Sequence, residues 1–466
     1  MVSGALMNEE KTVEKEKRSR WYHFRRQYTK FQLALSPQQN VLYGFLSYTV
    51  IGWLLLCIPL FHKQPVSLLD NLFIATSAIS TTGLVTVSIS DSYNWFGQCI
   101  TLVLVQSGGV GYMTFTSFIM LSMKSGLTHW HQRILNSEFA MPRGFQISDF
   151  IKSVIIFTIT LETLGAISLF IVFRQAGVEH NFALWSSIYH SVSAFCTAGF
   201  GLYNNSFESF ANNAALNTII SILALCGSLG FIVVTDFWNR ITGKNKAISY
   251  TTQMIFLVLT TLLTVGTIMI YLFEPSLNTV ASGDRLITSF FQAMTALTTV
   301  GFNTVPLGSF SLSILLIIVL LMYVGASPSG TGGGMKSTTF IALIAIMLSR
   351  IRGKSRVSFL GKAIPLDRMY VATSTFMLYA SVIFISTFLL TLTDPFPLHS
   401  ILFETTSAIG TVGLSTGITP QLSSYGKLVL IGVMFIGRIG VITFGLAILS
   451  RRNQTDERMD KADLAL

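Results

Sequence analysis

Four short segments of the chain share one pattern, [Ser/Thr]-Ala-x-x-Thr-x-Gly-[Leu/Phe], at residues 77–84, 193–200, 295–302 and 407–414. Their working ends read Thr81-Thr82-Gly83, Thr197-Ala198-Gly199, Thr299-Val300-Gly301 and Thr411-Val412-Gly413. Threonine next to glycine suits the desolvation of a cation. Water around the ion has to be replaced by oxygens, and rings of backbone carbonyls supply them. Aiming successive carbonyls at one axis takes backbone angles that glycine reaches at low cost. The threonines add hydroxyl or carbonyl oxygens. Oxygens without carboxylates favour a large monovalent cation over Ca²⁺ or Mg²⁺, so K⁺ is the expected ion. A single Thr-x-Gly means little, but four copies in equivalent surroundings mark an internal repeat.

The elements that must position these segments are membrane helices. The chain is 51% hydrophobic and 11% charged, too little charge for a soluble surface. Apolar runs at 41–61, 154–173, 253–273 and 370–392 approach the roughly 20 residues that cross a bilayer. Each run precedes a polar turn, then a stretch of about ten residues leading into the glycine, too short to cross. A second span follows with its own glycines: Gly108-Gly109-Val110-Gly111, Gly227-Ser228-Leu229-Gly230, the cluster in 325–334, and Gly437-Arg438-Ile439-Gly440. The expected architecture is an all-α membrane protein of four parallel span–pore-helix–span repeats around a central pore. It has eight transmembrane helices and four re-entrant half-helices. The repeats occupy 41–123, 150–236, 252–349 and 369–450, between tails at 1–40 and 451–466. Parallel units exclude an inverted-repeat transporter.

The net charge of +10 reports topology. With eight spans and a cytoplasmic amino terminus, only Lys63, Arg174, Arg285 and Lys427 face outward, while Lys336 and Arg438 sit at membrane depth. The other basic residues fall in the tails and inner loops, as the positive-inside rule requires. Both termini are therefore expected in the cytoplasm. The basic inner face favours anionic lipid and gives no reason to invoke nucleic acid. The polar segment 1–40 does not read as a cleavable signal. Cys57, Cys99, Cys196 and Cys226 lie in or beside apolar segments and read as buried thiols.

The second span of the third repeat breaks at 325–336. One Pro and five Gly within twelve residues (Gly325, Pro328, Gly330, Gly332, Gly333 and Gly334) do not stay helical. The spacing towards Lys336 does not match a phosphate-binding loop, and no strand precedes it. Arg438, near the middle of an apolar stretch, reads as an electrostatic barrier below the glycines, bonded to loop carbonyls, or as half of an ion pair with Glu162 or Glu404. Asp70 and Asp284 precede half-helices and read as caps or as outer cation attractors. His190 and Gln292 hold equivalent places and read as packing or hydrogen-bonding residues. Asn204-Asn205-Ser206 is an outer-side glycosylation sequon of no use outside a eukaryotic secretory pathway. An intramembrane enzyme would need a catalytic cluster such as HExxH, which the sequence lacks.

At these residues the chain resembles the Trk/Ktr/HKT superfamily of potassium transporters, most closely its bacterial KtrB membrane subunits, over roughly residues 37–450. The resemblance implies a K⁺ selectivity filter around Gly83, Gly199, Gly301 and Gly413 and a gate formed by 325–336 with Arg438. It implies a homodimer, a separate cytosolic ring of KtrA-like, RCK-type nucleotide-binding subunits, docking loops such as 125–149, and a bacterial cell membrane. It leaves room for Na⁺ as an activator, and for the alternative of a symporter coupled to Na⁺ or H⁺. One glycine per repeat, in four non-identical loops, departs from Thr-Val-Gly-Tyr-Gly and suggests weaker ion discrimination.

Overall fold

A computed structural model describes residues 35–111, 147–241, 243, 247–278 and 281–449. The tail segments 1–34 and 451–466 and most of the inner loop 125–149 lie outside the described residues. Each repeat opens with a long apolar helix: α1 (Pro37–Leu56), α4 (Ile147–Gln175), α8 (Tyr250–Phe273) and α12 (Leu366–Thr393). By length and composition each of these helices is able to cross a membrane. Serine caps start two of them, with Ser36 accepting from Gln39 N–H and Ser249 from Thr252 N–H.

The half-helices follow as α2 (Leu68–Ile79), α5 (His180–Phe195), α9 (Ser282–Thr298) and α13 (Leu398–Gly410). At 12, 16, 17 and 13 residues they exceed the expected ten. Their last two turns are largely buried: Ala78, Ala194, Ala296 and Ala408 are fully covered. Small residues in that register let the four helix ends converge.

The second spans do not follow expectation. A break was expected only in the third repeat, yet all four stop at a corresponding glycine. In the first, α3 (Trp95–Gly109) ends beside Gly111, whose φ is +88°. In the second, α6 (Ala214–Leu229) turns by 91° at Gly230 into α7 (Phe231–Ile241). In the third, the chain between α10 (Leu312–Val324) and α11 (Ser337–Ile351) is not helical. In the fourth, α14 (Ser424–Ile439) turns by 97° at Gly440 into α15 (Val441–Leu449). Gly230 and Gly440, at φ +85° and +90°, permit corners that other residues resist. Among the described residues four helices are therefore able to cross alone, and six if each bent pair is one span.

Packing closes the four units into a ring. Each second span touches its own half-helix and also the next one: α3 against α5, α6 against α9, α10 against α13, and α14 back against α2. Gly108, Gly227 and Gly437 make the close approach, since a methyl on each would collide with the carbonyl of Ile79, Phe195 or Ile409 at the end of its own half-helix.

Candidate ion pathway

The half-helices all end alike. The residue two beyond the last turn donates its N–H back to the leading Ser or Thr carbonyl: Thr82 to Ser77 (2.8 Å), Ala198 to Ser193 (2.8 Å), Val300 to Thr295 (3.2 Å) and Val412 to Ser407 (2.8 Å). This is the Schellman pattern, which wants a left-handed residue, usually glycine, just before that donor. Here the residue is threonine every time, at φ +51° (Thr81), +50° (Thr197), +61° (Thr299) and +48° (Thr411). A β-branched residue there is strained by about 1–2 kcal/mol. Sequence reasoning credited glycine alone with unusual backbone and missed this. The signal was present in four threonines standing where a helix stop prefers glycine or asparagine.

The next turn carries the glycines, with φ between +65° and +90°. They interlock in order round the ring. A methyl at Gly83 would strike the Ala198 carbonyl, at Gly199 that of Val300, at Gly301 that of Val412, and at Gly413 that of Thr82. The motif serine also explains itself in two repeats, where Ser77 and Ser407 hydroxyls accept from the amides of Gly83 and Gly413 at 3.1 Å. On the outer side, the four glycines line one cavity of about 410 Å³. Of the twelve residues expected there, the four glycines and the four residues that precede them meet at this ring.

The loop of the third repeat lies against the inner end of that ring. Thr331 Oγ1 is 3.1 Å from Thr197 Oγ1 and donates to the Phe195 carbonyl. The Thr331 carbonyl accepts from Thr81 Oγ1 at 3.5 Å. Gly333 N–H donates to Thr299 Oγ1 at 3.2 Å. A methyl at Gly333 would strike Thr411 Oγ1 and the Gly410 carbonyl. Residues 331–333 therefore meet all four threonines. The glycines are needed for this closeness, and Thr331, absent from the residues singled out in sequence, is the junction. It is one of three hydroxyl residues in the break, and that was its only signal.

The loop is anchored sideways as well. Ser327 N–H donates to the Ser228 carbonyl and Thr331 N–H to the Gly227 carbonyl, both at 3.1 Å. Gly230 meets the Pro328 carbonyl and the Gly330 nitrogen. The second repeat's corner and the third repeat's loop thus form together. Arg438 reaches the same place from α14. Its guanidinium donates to the carbonyls of Thr331 and Gly108 and, at 3.0 Å, to Thr81 Oγ1. Lys336 Nζ donates back to the Gly332 carbonyl at 2.7 Å. Lys336, Arg438 and Gly332–Gly334 line an inner cavity of about 370 Å³. These cations lie across the glycine ring from the other cavity, whose one charged lining residue is Glu208.

Other expectations are revised. The two carboxylates suggested for Arg438 each have hydrogen-bond partners in their own surroundings. Glu404 accepts from Ser415, Thr416 and Thr419 on the outer side of its own repeat. Glu162 accepts from Gln106 at 3.3 Å and faces Cys196. Asp70 is paired with Lys427 at 2.7 Å and held by its cap Ser67, so it fastens repeat one to repeat four. Burial raises the Asp70 carboxyl, but hydrogen bonds from Lys427 and Ser67 outweigh this and hold it below the usual carboxylate range. Asp284 sits in the first turn of α9.

Four helices able to cross a membrane, packed with four glycine-bearing loops that meet in one ring, define a multi-pass membrane protein. The chain belongs to the TrkH family of cation transport proteins, whose model matches residues 17–455. It is 32% identical to Ktr system potassium uptake protein B of Bacillus subtilis, covering 93% of this chain and 95% of that protein. It is 31% identical to the potassium/sodium uptake protein NtpJ of Enterococcus hirae, over 91% and 95%. The solved potassium transporter TrkH from Vibrio parahaemolyticus shares the fold, with a TM-score of 0.70 at 19% identity over 90% of this chain and 86% of that one.

Proposed function

We propose that this protein takes up K⁺ through a channel-like pore whose selectivity filter is the ring of Gly83, Gly199, Gly301 and Gly413. The observation that carries the proposal is the interlock of each glycine with the next repeat's carbonyl, which gathers four carbonyls about one axis. Four half-helices point their carbonyl ends, the negative ends of their dipoles, at the same place. The likeness to potassium uptake protein B and to the potassium/sodium uptake protein NtpJ supports the ion. The filter comprises Thr81–Gly83, Thr197–Gly199, Thr299–Gly301 and Thr411–Gly413. The gate is the loop 325–336, held shut against the filter threonines by Arg438 and Lys336. Counting each broken second segment as one crossing gives eight spans with both termini in the cytoplasm. The membrane potential alone supplies about 2.3 kcal/mol per 100 mV for each ion.

Opening the loop needs work from outside it. A cytosolic nucleotide-binding ring docking on the inner loops is our reading of that source, with a homodimer of this chain as the membrane unit and anionic lipid at its basic inner face. A second reading, in which Na⁺ activates transport or is carried with K⁺, is favoured by the likeness to the potassium/sodium uptake protein NtpJ and by the four unlike loops. Uptake of K⁺, Rb⁺ and Na⁺ in cells stripped of their own potassium uptake, with and without a co-expressed cytosolic partner, tests both. K⁺ and Rb⁺ uptake that needs no Na⁺ upholds the first. Uptake that stops without Na⁺ upholds the second, and equal uptake of all three contradicts the filter.

A further inference from the structure

Counting back nine residues from each filter glycine gives Ile74, His190, Gln292 and Glu404. Counting forward three gives Thr86, Leu202, Thr304 and Thr416. In three repeats the first member reaches the second. His190 Nε2 accepts from Leu202 N–H at 3.2 Å, while its Nδ1 donates to the Ser186 carbonyl at 2.7 Å. Gln292 Nε2 donates to Thr304 Oγ1 at 3.1 Å. Glu404 accepts from Thr416 N–H at 2.9 Å, and its two oxygens also take the hydroxyls of Ser415 (2.6 Å) and Thr419 (2.7 Å). All three side chains are almost wholly buried, at 1%, 0% and 0% exposure. In the first repeat Ile74 has no polar atom to offer.

We propose that His190, Gln292 and Glu404 are positioning residues that set the width of the outer filter mouth by bracing each loop on its exit from the glycine. The idea rests on the filter reading above. Three different side chains make the same link in the same register, so a common need accounts for them better than three separate accidents of packing. A strand leaving a left-handed glycine has no helix or sheet to hold it, and a buried brace confines it to one position. The link is polar in each case, and a buried polar group that loses its partner is costly, so the loop has one favoured distance from its half-helix. Glu404 differs in kind: it brings a carboxylate with at least three donors behind the fourth loop, whose Ser415 and Thr419 line the outer cavity. In this register the four walls of the mouth are therefore braced unequally, by no side-chain bond from Ile74 in the first repeat and by most in the fourth.

The test is a comparison of Gln292→Leu, Thr304→Val, their double variant and Glu404→Gln with wild type in proteoliposomes, scoring Rb⁺ uptake against K⁺ and Na⁺ competition. Ile74→Val, in the same register without a brace, controls for packing damage. Expected are a three- to tenfold loss of K⁺ preference over Na⁺ and a raised KM for each brace variant, with maximal rate per folded protein within about twofold. The double variant should be no worse than Gln292→Leu alone, because both changes break one link. Unchanged preference and KM in Glu404→Gln and Gln292→Leu would overturn the proposal, as would an equal shift in Ile74→Val or full additivity in the double variant. Where Gln292→Leu fails to fold, the single Thr304→Val carries the same expectation. A wild type that does not prefer K⁺ sinks the filter reading itself, which separates that failure from this one.

Discussion

The hydroxyls of Thr197 and Thr331 stand 3.1 Å apart, one in the second glycine-bearing loop and the other between α10 and α11 in the third repeat. The ring and the loop are thus in direct contact, and whatever moves residues 331–333 changes the surroundings of Thr81, Thr197, Thr299 and Thr411. On this account the threonines have two tasks. Their left-handed backbone turns the chain into the glycine, and their hydroxyls face inward to receive the loop.

Thr197→Gly separates those tasks. Glycine relieves roughly 1 kcal/mol of backbone strain but removes the partner of Thr331. Thermal melting of the purified protein is expected not to fall, while K⁺ uptake rises because the loop is held less tightly. Thr197→Ser keeps the hydroxyl and should transport near the wild-type rate.

Gly333→Ala places a methyl against Thr411 Oγ1 and the backbone carbonyl of Gly410. Backbone does not yield, so the loop has to move away from the ring. Several-fold faster Rb⁺ uptake in the absence of any cytosolic partner is the expected result, measured as flux per protein in the membrane.

Arg438→Gln removes the charge beneath the filter and most of the bonds to Thr331, Gly108 and Thr81. Uptake should rise by a larger factor than in Gly333→Ala, because barrier and tether are lost together. Arg438→Lys restores the charge without the fork that reaches separate carbonyls, and should fall between Gln and wild type.

Asp70→Asn breaks the pair with Lys427 that joins the first and fourth repeats. At a partly exposed site this costs about 1 kcal/mol. The folded Asp70 carboxyl lies below its ordinary value. Its contribution is therefore complete above that ordinary value and lost as external pH falls through the lowered one. Melting curves of wild type and Asp70→Asn should differ at neutral pH and converge in acid.

Much of this arrangement was legible in the sequence because its causes are local. Four long apolar runs, four glycines in one pattern and a Pro/Gly-rich break each carry their physics in their own composition. What stayed hidden depends on partners far along the chain. Gly230 and Gly440 were noted, but nothing local says that the chain turns by 91° and 97° there, since the corner at Gly230 exists to receive residues 328–330 of another repeat. Arg438 was recognised as costly at membrane depth, and loop carbonyls were among its expected partners. That Gly108 of the first repeat and Thr81 also receive it follows only from closing the ring. Glu404 was considered only as one alternative partner for that arginine, although its register with His190 and Gln292 was available by counting from the glycines.

The central claim, that the four glycines form one K⁺-selective ring, is tested most directly by substituting them one at a time with serine in proteoliposomes. Each glycine has a left-handed φ and a neighbour's carbonyl in the space that a side chain would take. The account predicts that Gly83→Ser, Gly199→Ser, Gly301→Ser and Gly413→Ser each lower the preference for K⁺ over Na⁺ by tenfold or more in a folded protein. Wild-type preference retained in any one of the four would contradict it.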